Sequence, residues 1–473
     1  MNVHRQLSWL HFYNVTESAN SLFLEKGNAM IDAILQWVIG LGGTILVPAI
    51  LIILGLVVRL KPSRAIQAGL TVAVGMIGVN AIIGILTSAL APAVQAMVEN
   101  FNLSLNIIDM GSGTAGPLSF STTLGVLIIP IAIVINLALV WMGLTKTLNV
   151  DVWNLWQPAM VGVMVWAVTG DYLLAVCSMV PFFLLELLLA DIFQPMISRF
   201  FGLPGIAITH VMALAGLVLA VPLNWVFEHI PGIGKIDVSS ETIQRRFGFL
   251  GNPMFIGFVI GCIIGVLARF DFAGVVNLGL QTAAVLMLLP KMISMFMEGL
   301  TPIAEATQQF TEKHLHGADV NIGMDAALTV GNPDVLAVSI VMIPITLFIG
   351  VVLPGNQVLP VGDLPTLVFA LCLMVAAFRG NFVRSIIGCS IYTVTMLYLA
   401  TWIAPALTGA YQIAGYAVEG LASFVSAGLW PNALGLAAAQ YGGYVGVAVL
   451  SAIVLVLLFY VNKVLRRPSN QNV

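Results

Sequence analysis

The sequence predicts an all-α polytopic membrane protein with about 11 transmembrane helices, two re-entrant hairpins and two inverted repeats. Three observations support this fold class. Of the 473 residues, 59% are hydrophobic and 8% are charged, whereas roughly a quarter of the residues in a soluble domain are charged. Several apolar stretches reach about 18 residues, which is enough to cross a bilayer core as a helix. A pattern of glycines, prolines and alanines recurs in the second half of the chain.

The composition excludes several other classes of protein. A net charge of −3 provides no basic surface for nucleic acid. The sequence contains no Gly-rich P-loop motif for nucleotide phosphates. We therefore expect no cofactor, no metal and no catalytic residue of a hydrolytic triad. The four cysteines all lie in apolar segments without a CxxC pair, which argues against a disulfide framework or structural zinc; they are Cys177, Cys262, Cys372 and Cys389.

The hydropathy profile sets the order of the spans. Residues 1–29 are polar and aromatic and do not resemble a signal peptide, so we expect an N-terminal extension without a packed structure. Two apolar stretches rich in small residues, about 203–226 and 413–430, are predicted to be re-entrant hairpins, since irregular backbone at membrane depth must line a cavity or be buried in protein. The predicted spans are 33–58, 67–90, 119–142, 157–168, 171–192, 254–269, 274–297, 334–353, 366–378, 381–403 and 443–462.

These elements divide the chain into five segments. The predicted division is an extension at 1–29, a first repeat at 30–202, a hairpin with a cytoplasmic loop at 203–250, a second repeat at 251–410, and a second hairpin, last helix and basic tail at 411–473.

The distribution of positive charge predicts the orientation. If the first span starts outside, nearly all Lys and Arg residues fall on the inner side, including the basic cluster after the last span. Loops 91–118 and 354–365 then fall outside and contain no Lys or Arg. The sequence therefore predicts an N-out, C-in topology, with Arg269 as the exception.

The repeated pattern indicates an internal duplication. The segment from Gly55 to Arg59 aligns with the segment from Gly265 to Arg269, an offset of 265 − 55 = 210 residues, and Gly170 aligns with Gly380 at the same offset. The predicted topology places the two copies in opposite orientations, as in many transporters. The short spans 157–168 and 366–378 occupy matching positions, and such pairs indicate the substrate site of a transporter.

Polar residues within apolar segments form a short list of site candidates, because exposing them to lipid costs several kcal/mol. Each has an alternative structural role: the aspartates can cap helices, His210 can bond a hairpin carbonyl, and the amides between Pro354 and Pro360 can satisfy freed backbone groups. Glu186, Asp191 and Glu419 are expected to be structural. The candidates are Glu99, Asn100, Asp109, His210, Asp325, Asn332, Asn356, Gln357 and Asp363.

The chemistry of these candidates favours a neutral, hydroxyl-rich ligand. Carboxylates, amides and imidazole exchange hydrogen bonds with hydroxyl groups. An anionic substrate would instead require Arg or Lys within the spans, where they are sparse.

Several sequence blocks resemble one family of transport proteins. The segment from Pro354 to Pro360, followed by Gly362-Asp363-Leu364, resembles the signature of the galactitol-type membrane subunit, enzyme IIC, of the bacterial sugar phosphotransferase system. The resemblance covers roughly residues 30–465. Supporting blocks are Ala96–Phe101, Asn149–Trp156, Ile243–Gly248 and Gly299–Ala304.

The resemblance implies a multi-pass homodimer of the bacterial inner membrane, within the ascorbate–galactitol superfamily. Such subunits carry a polyol inward and present it to a separate cytoplasmic IIB protein, which acts with IIA and whose phosphocysteine phosphorylates the polyol. It further implies that the sugar-site residues include His210, Glu99, Asp325, Asn356, Gln357 and Asp363.

The identity of the substrate and the type of function both remain open. The residues after His210 and the residue at Asn332 differ from the family pattern, so galactitol and a related polyol or sugar are both candidates. The main alternative is an ion-coupled secondary transporter using Glu99, Asp109 or Asp325 as proton carriers; a non-transporting scaffold or sensor is a third hypothesis. The expected IIB docking surface combines loop 227–250, with Arg245 and Arg246, and loop 303–325, with Lys313, His314 and His316.

Overall fold

The fold is known from a computed structural model that describes most of the chain. The described residues are 43–100, 107–120, 122–149, 151, 153–230, 253–314, 320–358, 360, 362–416, 418 and 420–465. The predicted extension at 1–29 lies outside them, as do Arg245, Arg246 and His316 and the side chains of Lys313 and His314.

Helices account for most of the described structure. Their bounds are α1 Gly43–Val57, α2 Pro62–Asn100, α3 Ala115–Phe120, α4 Thr123–Trp141, α5 Trp156–Thr169, α6 Tyr172–Phe201, α7 Val211–Leu214, α8 Leu217–His229, α9 Pro253–Leu267, α10 Phe272–His314, α11 Ala327–Val330, α12 Pro333–Val352, α13 Leu367–Ala377, α14 Phe382–Ile413 and α15 Trp430–Leu465. A left-handed residue at Gly443, with φ of 54°, bends α15 sharply.

Each predicted span coincides largely with one helix. The helices α2 and α10 are much longer than the spans predicted there, at 39 and 43 residues. Among the described residues, six helical segments are long and apolar enough to cross a membrane. The prediction of a helical, membrane-embedded protein is therefore confirmed, while the count of 11 crossings, the orientation and the inverted arrangement stay predictions.

The turns between α1 and α2 and between α9 and α10 have the same geometry. Arg59 and Arg269 each adopt a positive φ, of 66° and 56°, which is uncommon for a residue other than glycine. The amide of Leu60 donates to the carbonyl of Gly55 at 2.8 Å, and the amide of Phe270 donates to that of Gly265 at 3.0 Å. Both are six-residue closures that satisfy helix-end carbonyls, and they lie at the positions that the sequence offset matches.

Two small parallel sheets were not predicted from the sequence. Their strands are β1 Ile107–Asp109, β2 Thr147–Asn149, β3 Ile206–Ile208, β4 Asn321–Met324 and β5 Leu421–Ser423. The first sheet pairs β1 with β5, and Ile107 also bridges Val358. The second sheet places β4 between β2 and β3. Strands of three or four residues carry too little alternation to be recognised in a sequence.

The two sheets combine opposite halves of the chain. In the first sheet, a strand of the first half lies between segments of the second half. In the second sheet, a strand of the second half lies between two strands of the first half. The two halves are thus joined by main-chain hydrogen bonds at both sheets, which satisfies backbone groups that have left the helices.

The short helices α5 and α13 lie in the centre of the protein. Residues Trp156 to Val165 of α5 and nearly all of α13 are buried. Both helices end at a left-handed turn, at Gly170 and at Gly380. Their complete burial explains why they carry apolar side chains on every face.

Candidate functional site

The second sheet brings polar side chains from three separate segments to one edge. Because its strands are parallel, their carboxyl ends lie together. Asn149 ends β2, Thr209 and His210 follow β3, and Asp325 follows β4. We call the cluster built at this edge the His210 cluster; it also contains Asp151, Asn154, Gln157 and Glu186.

An imidazole and a carboxylate form the centre of the His210 cluster. Nδ1 of His210 lies 3.0 Å from Oδ2 of Asp325, and His210 is 6% exposed. The other oxygen of Asp325 accepts a hydrogen bond from the amide of Ala327. Trp156 contacts the imidazole edge-on, and Phe369 stacks on it with ring centroids 5.8 Å apart. The sequence analysis predicted both His210 and Asp325 as site residues, and the structure brings them into contact.

The local backbone explains the orientation of His210. The amide of Thr209 donates to the carbonyl of Met324, which extends the β3–β4 pairing by one residue. His210 itself has an extended conformation, and its carbonyl accepts from the first turn of α7. The side chain therefore emerges where a strand changes to a helix.

The segment before α5 contributes further polar side chains to the cluster. The carboxylate of Asp151 accepts hydrogen bonds from the amide of Trp153 and from Nδ2 of Asn154, each at 3.0 Å. Asn154 also lies close enough to Asp325 to interact with its carboxylate. One turn later, Oε1 of Gln157 accepts from the amide of Met212, the second residue of α7.

Helix α6 contributes a buried acid, Glu186, to the cluster. Oε1 of Glu186 accepts from Nδ2 of Asn149 at 2.6 Å, and Oδ1 of Asn149 accepts from the hydroxyl of Thr209 at 3.2 Å. The charge of Asp151 interacts with those of both Asp325 and Glu186. Glu186 is fully buried, and its hydrogen bond to Asn149 joins it to the cluster; its structural role stays a prediction.

Four buried polar atoms of this cluster have no hydrogen-bond partner among the described residues. They are Oδ1 of Asn154, Nε2 of Gln157, Oε2 of Glu186 and Nε2 of His210. A buried polar group without a partner costs about 1–3 kcal/mol. A mixture of donors and acceptors in this state is suited to a ligand whose hydroxyl groups both donate and accept.

The cluster differs from a metal or anion site. In the described part of the chain, no group of three or more His, Cys, Asp or Glu has the geometry to hold a metal ion. The ion pairs of Arg379 and Arg384 are formed with Glu228 and not with the cluster. The cluster therefore offers carboxylates, amides and an imidazole.

Asp109 and Asp363 form a second cluster beside the first sheet. Oδ1 of Asp363 accepts from the amide of Ser112 and the hydroxyl of Thr366, and Oδ2 accepts from the amide of Ser426 at 2.6 Å. Asp109 accepts from the amides of Gly111 and Asp363. Protein donors thus bind all four carboxylate oxygens, and this arrangement is suited to holding three segments together.

The two clusters lie at similar offsets in the two halves of the chain. Strand β5 begins 421 − 206 = 215 residues after β3, and the same offset matches Val425 with His210. Asp363 lies 363 − 151 = 212 residues after Asp151. The sequence analysis placed all of its candidates at one site, whereas the structure separates these two aspartates from His210 and Asp325.

The other predicted residues have local contacts. Asn332 caps α12 by accepting from the amides of Asp334 and Val335. Asn356 donates to the carbonyls of Gly350 and Val358, at 2.7 and 2.8 Å, which is the structural alternative stated above. The side chain of Gln357 is exposed.

Two more candidates lie on α2. Asn100 donates to the carbonyl of Ala268 at 3.1 Å, in the turn before α10. Glu99 is the preceding residue, and its side chain lies outside the described residues.

Sequence reasoning missed five members of the His210 cluster, namely Asn149, Asp151, Asn154, Gln157 and Glu186. Two signals were available. The first four lie in or next to the block Asn149–Trp156 that carried part of the family resemblance, at the start of the short span at 157–168. Glu186 is the only acidic or basic residue in α6 before Asp191, and an acid in an apolar span is a functional-site candidate by default.

Comparison with known proteins places this geometry in a family context. A family described as "PTS system sugar-specific permease component" matches residues 37–421. The chain is 35% identical over 430 residues to the "Putative permease IIC component" of Escherichia coli (strain K12), covering 90% of this chain and 98% of that protein. It is 36% identical over 372 residues to the "PTS system galactitol-specific EIIC component" of the same strain, covering 79% and 82%.

The substitution Asp363→Asn should lower thermal stability without changing ligand binding at the His210 cluster. Asparagine has one acceptor oxygen where Asp363 uses two, so a buried main-chain amide loses its partner at a cost of about 1–3 kcal/mol. Thermal unfolding of the purified protein should therefore shift downward by several degrees.

The matched control is Asp171→Asn at a half-buried position that caps α6. The amide of Leu174 and the hydroxyl of Tyr444 donate to Asp171, and asparagine keeps an acceptor oxygen and is an equally good cap. Equal stability of the two variants would contradict the structural role of Asp363.

Proposed function

This chain belongs to the family of PTS system sugar-specific permease components, and from that premise we propose that it binds and translocates a polyol for phosphorylation by a separate IIB protein during uptake. The polyol is galactitol or a related sugar alcohol or sugar. IIB, acting with IIA, supplies the phosphoryl group from a phosphocysteine, and no residue of this chain carries it.

The His210 cluster is the observation on which this function rests. It contains an imidazole, three amides and three carboxylates, and four of its buried atoms lack partners among the described residues. Polar groups placed for hydroxyls strongly reject ligands that lack them. The substrate class that fits is therefore uncharged and polyhydroxylated.

The relatives support the same substrate class. One of them is named for galactitol and is 36% identical over 79% of this chain. The match to the "Putative permease IIC component" covers more of this chain, 90%, and its name specifies no sugar. Galactitol is accordingly the first polyol to test, together with its stereoisomers.

We further propose a multi-pass inner-membrane protein with N-out, C-in topology and two inverted repeats. The matched turns at Arg59 and Arg269 support the duplication. The first half supplies the central strand of the first sheet, and the second half supplies the central strand of the second sheet. This reciprocal arrangement supports a two-fold relation between the copies. An inverted pair places the substrate near the midplane, where the copies meet.

The long helices supply the surface for the proposed homodimer. Helices α1, α2, α9 and α10 pack mainly against one another. Their outer faces carry exposed apolar side chains, including Leu70, Val74, Leu280 and Met287. Such a surface is suited to lipid and to a second subunit.

An ion-coupled secondary transporter is the second candidate function. The observation that favours it is the grouping of three buried carboxylates, from Asp151, Glu186 and Asp325, around one imidazole. Charges this close cannot all persist in a buried site, so such a cluster can bind a proton.

Uptake measurements should distinguish the two functions. Membrane vesicles containing this protein should accumulate phosphorylated polyol only when IIB, IIA and phosphoenolpyruvate-driven donors are supplied, and an uncoupler should have little effect. Accumulation of free polyol that an uncoupler abolishes would instead establish ion coupling.

The substitution His210→Ala should weaken polyol binding by about one to two orders of magnitude, because it removes a buried hydrogen-bond partner worth 1–3 kcal/mol. A panel of polyols, added to the purified protein, should raise the unfolding temperature of the wild type and do so much less in the variant. The control is His229→Ala, which changes an exposed histidine at the end of α8. Undiminished shifts in His210→Ala would place the site elsewhere.

Single cysteines introduced at Lys61 and Asp271 should be labelled from opposite sides of the membrane. These exposed positions are related by the offset 271 − 61 = 210, and inversion of the repeats requires opposite faces. The measurement uses a membrane-impermeant thiol reagent on intact and opened cells, in a variant without the four native cysteines. Labelling of both positions from the same side would refute the inverted arrangement.

A further inference from the structure

His210 is held in a way that simple ligand binding does not require. A carboxylate only accepts hydrogen bonds, so Nδ1 of His210, at 3.0 Å from Asp325, carries the hydrogen of that bond. In the neutral imidazole, Nε2 is then the acceptor nitrogen. Nε2 is buried and has no partner among the described residues.

The position of this acceptor nitrogen is fixed from several sides. Phe369 stacks on the ring and the edge of Trp156 contacts it. The amide of Ala327 holds the second oxygen of Asp325, which prevents the carboxylate from rotating. A base oriented by a third group is the arrangement that activates hydroxyl nucleophiles in enzymes.

The corresponding position in the other half lacks this chemistry. Val425 occupies the place of His210, and the carboxylates of Asp109 and Asp363 are bound by protein donors. The fold by itself therefore does not require a histidine at this point.

Resting on the proposed function, we infer that His210 is a catalytic residue of the phosphoryl transfer. Nε2 accepts the proton of the polyol hydroxyl while that oxygen attacks the phosphorus of the IIB phosphocysteine. The new O–P bond forms as the S–P bond breaks, and the cysteine leaves as a thiolate. The imidazolium is stabilised by Asp325 and later returns its proton to solvent or to the thiolate.

Glu186 is the competing acceptor within the cluster. Its Oε2 also lacks a partner in the described part of the chain. However, it is oriented by one hydrogen bond, from Asn149, and no second group fixes its free oxygen. The geometry therefore favours His210, and the experiment includes Glu186 as a separate arm.

The test is the substitution Asp325→Asn. The amide of Ala327 needs an acceptor, so the asparagine oxygen stays there and its NH₂ group faces Nδ1 of His210. Nδ1 then becomes the acceptor and Nε2 carries the hydrogen. Nε2 can therefore no longer accept the proton of the polyol hydroxyl. The phosphorylation rate with saturating IIB and phosphoenolpyruvate should fall about 100-fold or more, while polyol affinity changes less than about tenfold.

Two further variants complete the experiment. His210→Gln keeps an amide near the position of Nε2 and should also retain polyol binding and lose phosphorylation. The control Asp171→Asn makes the same chemical change at a helix cap outside the cluster and should leave both quantities unchanged. Thermal shifts with the best-binding polyol confirm that each variant is folded.

The outcomes separate this inference from the proposed function. Full phosphorylation in Asp325→Asn, or losses of affinity and rate in parallel, would overturn the catalytic role. A selective loss of phosphorylation in Glu186→Gln, with Asp325→Asn active, would transfer that role to Glu186. A wild-type protein that supports no polyol phosphorylation at all would overturn the proposed function itself.

Discussion

Main-chain groups that leave a helix inside a bilayer must find partners within the protein, and the rest of this structure depends on how that requirement is met. Two small parallel sheets provide the partners, with β1 beside β5 and β4 between β2 and β3. Because parallel strands end at a common edge, the same hydrogen bonds bring the polar residues after β2, β3 and β4 together. The His210 cluster is thus a consequence of backbone pairing between the two halves.

The polar clusters beside the two sheets differ in their chemistry. Beside the first sheet, the carboxylate of Asp363 is fully used by donors from three protein segments. Beside the second sheet, the imidazole of His210 keeps Nε2 without a partner among the described residues. The first cluster therefore has all of its carboxylate oxygens bound by protein donors, whereas the second has buried polar atoms without a partner in the described part of the chain.

The helices and two residues of the His210 cluster could be predicted from the sequence, whereas the strand pairing and the other residues of the cluster could not. Hydropathy located the helices, because each crossing must be apolar over its length, and the cost of buried polar groups identified His210 and Asp325. The separation of Asp109 and Asp363 from them could not be predicted, since the pairing of three-residue strands across more than 100 residues has no local signal. Asp151, Asn154 and Gln157 were missed because they read as a connection between spans, and Glu186 because a single acid in an apolar helix also suits a structural role.

The second sheet contains strands from both halves of the chain, and this limits the movements that the protein can make. Strand β4 comes from one half and its neighbours β2 and β3 from the other, so separating the halves at this point would break both the sheet and the contact between His210 and Asp325. The moving body must therefore include both sheets, together with α4, α6 and α14, which contact their strands, and α5 and α13, which pack against α6 and α14. The long helices α2 and α10, with α1 and α9, pack mainly against one another and form a separate surface. Under the proposed function, we expect transport to displace these two bodies relative to each other, so that a polyol bound at the His210 cluster would stay beside His210 and Asp325 as the site changes its exposure.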